Sequence, residues 1–175
     1  MAPQRRVGYL GLGSNVGDSA GHLRAALELL EAEGVVIDAV SSAYVTEPVG
    51  EILDQPDFLN AAARIRTGLE PEELLDASKR VESERRRQFD LPHHSPRPLD
   101  VDLLLLGDLE LSTDRLTLPH REVTTRRFEL IPLLELDPSL ALPDGTSLDH
   151  ALGSLPDRSR VERAGGLAGR ACQDH

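Results

Sequence analysis

The sequence predicts an α+β fold, in which a ferredoxin-like sheet of the order β-α-β-β-α-β is followed by extra C-terminal helices. Two observations support this. Strand-like segments and segments of helical period follow one another along the chain in that order. The 175 residues are also enough for one domain with a sizeable buried core.

The first β-α-β half begins with a strand-like run, Val7 to Leu12. A helix is expected from Ala20 to the residue before Gly34, because glycine commonly ends helices. Its apolar residues stand at offsets of 0, 3, 4 and 7: Leu23, Ala26, Leu27 and Leu30. The β-branched stretch from Val35 to Val45 predicts one extended strand.

The second half repeats this pattern. Phe58 to Thr67 reads as a strand, and Pro71 opens a helix that continues to about Arg86. Leu99 to Leu106 is the most strand-like segment of the chain. The two long connections, 46–56 and 87–98, contain proline and polar residues and suggest functional loops.

Beyond the sheet, two short helices are expected, from Phe128 to Glu135 and from Leu148 to Leu155. Residues 159–175 are rich in Arg, Gly and Ala without clear periodicity. We therefore predict one domain over residues 1–158 and a flexible C-terminal tail over 159–175.

Charge and composition exclude several classes of function. The chain has 19 basic and 30 acidic residues and a net charge of −11, which argues against a general nucleic-acid binder. Its only lysine is Lys79, and its only cysteine, Cys172, can form neither an internal disulfide nor a thiolate metal site. No apolar run approaches the roughly 18 residues of a membrane span, so we expect a cytoplasmic protein, most simply a monomer.

Asp100 and Asp102 are the most informative pair. On a strand they project from one face, with Cα atoms about 6.6 Å apart. Two like charges on an inner strand require compensation, and oxygen ligands favour a pair of Mg²⁺ ions. The alternative is an edge strand whose two aspartates face water.

Basic residues surround this strand in the sequence. Arg97 precedes it by three residues, within reach of a shared polyphosphate. After the strand come several arginines interleaved with polar residues: Arg115, Thr117, His120, Arg121, Arg126 and Arg127. Their grouping in so acidic a protein favours a local anion site over ordinary solvated arginines.

Gly11, Gly13 and Gly17 have the spacing G-x-G-x-x-x-G, which differs from the dinucleotide-binding G-x-G-x-x-G. We interpret them as a tight strand-to-helix turn in preference to a phosphate cradle.

Aromatic residues number only five. Phe58 and Phe128 flank polar or basic segments and could enclose a flat heterocycle, with Asn60 bonding its edge. They could equally be core residues.

Two further classes of site lack support. His93 and His94 form a loop doublet without the spacing of a zinc site, and no G-x-S-x-G elbow of a serine hydrolase is present.

Five segments carry a recognisable pattern in order along the chain: Leu12-Gly13-Ser14-Asn15, Thr46-Glu47-Pro48-Val49-Gly50, Gln55-Pro56-Asp57-Phe58-Leu59-Asn60, Arg97-Pro98-Leu99-Asp100-Val101-Asp102 and Arg115-Leu116-Thr117-Leu118-Pro119-His120. Together, from about Val7 to Leu155, the chain resembles the hydroxymethyl-dihydropterin pyrophosphokinase family of folate biosynthesis. The resemblance implies a ferredoxin-like fold and transfer of the terminal pyrophosphate of ATP to the pterin hydroxymethyl group, with release of AMP.

The resemblance also implies roles for particular residues. Catalysis would fall to Asp100, Asp102, Arg97 and Arg87, with both aspartates holding two Mg²⁺ ions. The pterin would be bound by Thr46, Val49, Phe58, Asn60 and Phe128. ATP, the co-substrate, would be bound by Glu82, Arg97, Arg115, Thr117, His120 and Arg126. The stretches 47–57 and 86–96 would be mobile lids.

The second lid departs from the family pattern. Arg87 matches its first arginine, but Phe89 stands where a second is usual, and His94-Ser95 replaces an aromatic-glycine pair. Two other functions remain as alternatives at this point: a non-catalytic small-molecule sensor and a two-metal phosphohydrolase.

Overall fold

The computed structural model describes residues 5–48, 56–88 and 98–167. Its strands are β1 (Arg6–Ser14), β2 (Val36–Val40), β3 (Ala43–Thr46), β4 (Phe58–Thr67), β5 (Asp100–Leu106), β6 (Leu111–Ser112), β7 (Thr117–Leu118) and β8 (Val161–Gly165). Its helices are α1 (Ser19–Ala32), α2 (Pro71–Gln88), α3 (Arg127–Leu136) and α4 (Leu148–Ser154).

The main sheet has six strands in the order β5-β1-β4-β3-β8, with β2 also paired to β4. The pairs β1–β4 and β1–β5 are antiparallel, so β1 lies between the two strands that α2 connects. This arrangement is the predicted ferredoxin-like topology, in which each β-α-β half contributes two strands that are parallel but not adjacent.

Helix signals in the sequence set the ends of α1 and α2. The Asp18 side chain caps α1 by accepting the N–H of Gly21 at 3.0 Å, and Gly34 follows the helix with φ +93°. α2 begins at Pro71, with acidic residues in its first turn and three arginines in its last, which suits the helix dipole.

Both faces of the sheet are packed, because neighbouring residues of a strand point to opposite sides. Ala61 belongs to the core formed with α1 and α2, and Ala62 to the core formed with α3 and α4. α1 and α2 pack against one face of the sheet. On the other face, α3 covers only part of the sheet and leaves room for a site.

α3 is fixed to the sheet by Glu135. Its carboxylate accepts the N–H of Ser42 at 2.8 Å and the hydroxyl of Tyr44. Burial and the Glu135 carboxylate raise the pKa of Tyr44 to about 12, so its hydroxyl stays a donor at neutral pH.

Three regions differ from the predicted secondary structure. The stretch from Val35 to Val45 is two strands, because Ser41 and Ser42 interrupt the ladder, and the Ser41 hydroxyl instead accepts the N–H of Ala62 at 2.8 Å. The hairpin β6–β7, which follows β5, was not predicted.

The third concerns the predicted tail. Val161–Gly165, predicted to belong to the tail, form β8 and pair with β3. Four of these five residues are exposed, which removes the alternation by which a strand is predicted. Among the described helices, none is both long and apolar enough to cross a membrane.

Candidate active site

The open part of the α3 face is built on three adjacent strands. The register aligns Asn60 of β4, Gly13 of β1 and Asp100 of β5 in one row across the sheet. The next row contains Gly11 and Asp102. Because residues two apart on a strand share a face, both rows point to the same side.

Asp100 and Asp102 lie side by side on this face, both half-buried. β5 is an edge strand of the sheet, as in the alternative interpretation with both aspartates facing water. The two side chains nevertheless line a cavity. The outer edge of β5 is held by two contacts. Glu82 Oε2 accepts the backbone N–H of Val101 at 2.7 Å, and the backbone N–H of His120 donates to the Leu104 carbonyl at 2.9 Å.

A cavity of about 370 Å³, here called the inner cavity, opens above these rows. Half-buried Phe58 and Phe128 are both in its wall. At its base, the Asn60 amide donates to the Thr46 hydroxyl at 2.7 Å. The remaining lining residues are Gly11, Leu12, Gly13, Glu47, Ala61, Ala62, Asp100, Asp102, Leu104, Glu122, Arg126, Glu129 and Pro132.

Gly11 and Gly13 belong to β1, so their interpretation as a turn was wrong; only Gly17 has the positive φ of a turn, +64°. A Cβ atom on Gly13 would lie 2.6 Å from Asn60 Oδ1, and one on Gly11 would lie 3.6 Å from Glu129 Oε1. Gly13 therefore leaves room for the Asn60 amide, and a side chain on Gly11 would enter the space beside Leu104 and Glu129. The signal in the sequence for two glycines within a strand was their spacing of two residues.

A second cavity, here called the outer cavity, has a volume of about 320 Å³ and adjoins the first. Its lining includes four of the residues expected to bind nucleotide: Arg115, Thr117, His120 and Arg126. Asp102, Glu122 and Arg126 line both cavities. The boundary between the two cavities thus combines an acid of the β5 pair with a guanidinium group.

Arg126 is held from three sides. Its guanidinium lies 3.0 Å from Glu122 Oε2, 3.5 Å from Glu129 Oε1 and 5.5 Å from the centre of the Phe128 ring. The last distance is that of a cation–π contact. Arg126 is therefore oriented before any ligand arrives.

Two groups beside the boundary have shifted pKa values. Burial raises the pKa of Glu129 to about 8, against the opposing effect of Arg126. Burial lowers the pKa of His120, and its Nδ1 accepts the N–H of Glu122 at 3.1 Å. The neutral imidazole therefore presents Nε2–H, a hydrogen-bond donor.

Three predicted site residues have other contacts in the structure. Glu82 bonds the backbone of β5, as described above, and lines neither cavity. Arg87 is exposed and pairs with Glu84 on its own helix, outside both cavities. Arg115 lines the outer cavity but is paired with Glu72 and Asp76 of α2.

The remaining predictions fall on parts of the chain outside the described residues. These parts contain Val49 and Arg97, the histidine doublet and most of both expected lids. Glu122 and Glu129 were not predicted as site residues. For Glu129, an acid in the first turn of a helix is ordinarily explained by the helix dipole.

The acid pair fits hard divalent cations. Within the described ranges there is no group of three or more His, Cys, Asp or Glu side chains able to hold a metal ion. Asp100 and Asp102 offer two carboxylates and no softer ligand. Such a site suits Mg²⁺, which keeps several water or phosphate ligands of its own.

Fold and site together define an enzyme class: a ferredoxin-like α+β protein in which an acid pair joins an aromatic-walled cavity to an arginine-containing one. The chain belongs to the 7,8-dihydro-6-hydroxymethylpterin-pyrophosphokinase family, whose model matches residues 9–138. The sensor and phosphohydrolase alternatives are not favoured by this match.

Relatives cover most of the chain. It is 41% identical over 149 residues to the 2-amino-4-hydroxy-6-hydroxymethyldihydropteridine pyrophosphokinase of Pseudomonas aeruginosa, covering 85% of this chain and 91% of that one. The enzyme of the same name from Haemophilus influenzae is 35% identical over 155 residues, 88% and 96% of the two chains. A folate synthesis bifunctional protein of Arabidopsis thaliana is 42% identical, but this chain spans only 26% of it.

Solved structures agree on the fold. A Plasmodium falciparum HPPK-DHPS chain superposes with a TM-score of 0.66 at 14% identity, covering 86% of this chain and 45% of that one. An HPPK-DHPS crystallised with substrates gives a TM-score of 0.68 at 12% identity, covering 87% and 43%. This chain therefore spans less than half of those proteins.

Proposed function

We propose that the chain transfers the pyrophosphoryl group of ATP to the hydroxymethyl group of 6-hydroxymethyl-7,8-dihydropterin and releases AMP. The observation that carries the proposal is the shared boundary of the two cavities. Asp102 and Arg126 face both, so a heterocycle in one and a triphosphate in the other would meet at the β5 acids.

The inner cavity suits a flat, polar-edged ring. Phe58 and Phe128 would stack on its two faces, and Asn60, oriented by Thr46, would bond its edge. Because the Asn60 amide nitrogen donates to Thr46, its Oδ1 remains directed at the cavity base near Gly13. The backbone around Thr46 and Val49 would complete the pocket.

The outer cavity suits the nucleotide. Arg115, Thr117, His120 and Arg126 would bind it, with guanidinium groups and the His120 Nε2–H as donors to phosphate oxygens. Glu82 would act here through β5, whose backbone it holds, and Arg97 would extend the cationic side. Arg87 would have to leave Glu84 to take part.

Asp100 and Asp102 would hold two Mg²⁺ ions, which when bound supply charge compensation and lower the pKa of the substrate hydroxyl. The hydroxyl oxygen would form a bond to the β-phosphorus of ATP. The bond between that phosphorus and the oxygen bridging it to the α-phosphate would break, and this oxygen would leave with AMP. One of the two aspartates would accept the hydroxyl proton. In phosphoryl-type transfer, the main contribution of the protein is to align the attacking hydroxyl with the phosphorus atom and to compensate charge.

We further propose that the protein acts as a monomer in the cytoplasm.

The test is product stoichiometry. The protein is incubated with ATP, Mg²⁺ and the dihydropterin, and nucleotides and pterins are separated. We expect AMP and pterin pyrophosphate in equal amounts. ADP as the product, phosphate release without pterin, or no turnover would contradict the proposal.

A further inference from the structure

Glu129 is the one acidic side chain that is buried in the part of the chain the structure describes, with 5% of its surface exposed. It lies in the first turn of α3 and lines the inner cavity. Its Oε1 lies 3.5 Å from the Arg126 guanidinium. Its Oε2 is buried and has no hydrogen-bond partner among the described residues.

The fold alone does not require an acid at this position. The core around it is apolar and includes Leu104, Leu130 and Leu133. An apolar side chain would fill the space, whereas a buried oxygen without a partner destabilises the folded state. A buried orphan polar group in a substrate cavity indicates a partner that arrives with the ligand.

The base of the cavity shows how the Glu129 carboxyl group is placed relative to Asn60. Gly11 and Gly13 face the same side of β1, about 6.6 Å apart. Asn60 Oδ1 lies above Gly13 and Glu129 Oε1 above Gly11, by the distances given above. Two polar groups thus stand over neighbouring glycines, one of them beside Asp102 in the register of the sheet.

We propose that Glu129 is a second polar contact for the heterocycle, binding one edge atom of the ring while Asn60 binds another. The inference deepens the proposed function and rests on it. Stacking between Phe58 and Phe128 fixes the plane of a ring but tolerates rotation within that plane. Two hydrogen bonds remove this rotation and direct the hydroxymethyl group towards the acid pair.

The protonation state of Glu129 agrees with this role. Its raised pKa of about 8 leaves the carboxyl group mostly protonated at neutral pH. In that form it can donate a hydrogen bond as well as accept one.

Two variants separate this role from a structural one. Glu129→Met is similar in volume and apolar, whereas Glu129→Gln keeps a donor and an acceptor. The probe is fluorescent 6-hydroxymethylpterin, titrated with Mg²⁺ and a non-hydrolysable ATP analogue present, and the analogue is titrated separately. Glu28→Met, an exposed position on α1, is the matched control.

We expect Glu129→Met to raise the pterin Kd about tenfold, as for one lost hydrogen bond to a ligand, and Glu129→Gln to stay within about threefold. The Kd of the nucleotide analogue stays within about twofold in both, and the melting temperature of Glu129→Met is equal or higher, since a buried unpaired oxygen has gone.

An unchanged pterin Kd in Glu129→Met overturns the inference. An equal loss of nucleotide affinity also overturns it, because Glu129 would then act through Arg126. If the wild type forms AMP normally and the pterin Kd of Glu129→Met is unchanged, only this inference is contradicted and the proposed function stands. If the wild type does not bind pterin at all, both the proposed function and the inference are contradicted.

Discussion

The carboxylate of Glu82 on α2 accepts the backbone N–H of Val101, at 2.7 Å, between the two aspartates of β5. Val101 is 3% exposed and β5 is an edge strand, so this N–H points away from the sheet ladder. The contact thus fixes the strand that carries Asp100 and Asp102 from the side opposite the sheet. Glu82 was expected to touch the nucleotide; its observed contact is with the backbone.

Removing the Glu82 carboxylate should destabilise the protein. Glu82→Ala leaves a buried N–H without an acceptor, at a cost of about 1–3 kcal/mol. Glu82→Gln keeps an acceptor oxygen and should lose less. Urea unfolding of the three proteins checks this, and equal midpoints for wild type and Glu82→Ala would show that the contact contributes nothing.

Asp102→Ala should abolish turnover and leave the fold intact, because it removes one of two like charges from an open site. The readouts are AMP formation with Mg²⁺ present and the melting temperature in metal-free buffer. Asp108→Ala, exposed just beyond β5, is the control. A large fall in melting temperature for Asp102→Ala alone would make Asp102 a structural residue.

Gly13→Ala should weaken pterin binding without affecting the nucleotide. The added Cβ atom would lie 2.6 Å from Asn60 Oδ1 and must displace that amide. Gly153→Ala has no atom within 4 Å of its Cβ and serves as the control. Titrations of pterin and of the ATP analogue decide the matter; an unaltered pterin Kd would place the ring away from Asn60.

Phe128→Ala should likewise weaken pterin binding and leave nucleotide binding little changed. The Phe128 ring lines the inner cavity and is not in the lining of the outer one. Separate binding titrations measure the two effects. If both affinities fell equally, the ring would be acting as a core residue or as a support for Arg126.

The stability of the protein should depend on pH through Glu129. Its pKa is about 8 in the folded state against an ordinary 4.5. Between those values the folded chain holds a proton that the unfolded chain has released, so the free energy of unfolding falls as pH rises. Urea unfolding at several pH values should show a shallower fall for Glu129→Gln, and parallel curves would contradict the shifted pKa.

Much of the fold followed from periodicity. The helical spacing from Leu23 to Leu30 and the leucine run of β5 correctly predicted the main elements. The position of Asp100 and Asp102 on one face of β5 was predicted from strand geometry alone. β8 was missed because an exposed edge strand buries too little apolar surface to leave a pattern, and its partner β3 is far away in sequence.

The site was only partly predictable for a different reason. Gly11 and Gly13 are local signals whose meaning depends on what approaches them from α3 and β4. Glu129 is distinguished only by tertiary burial, which one sequence does not reveal. The backbone role of Glu82 likewise depends on the docking of α2 against β5.

The central claim is that Asp100 and Asp102 hold divalent metal between the two cavities. Crystals soaked with Mn²⁺, a non-hydrolysable ATP analogue and 6-hydroxymethylpterin test it directly through anomalous scattering. We predict two peaks about 3.5–4 Å apart, both in contact with the two carboxylates. Nucleotide and pterin density without an anomalous peak beside Asp100 and Asp102 would contradict the account.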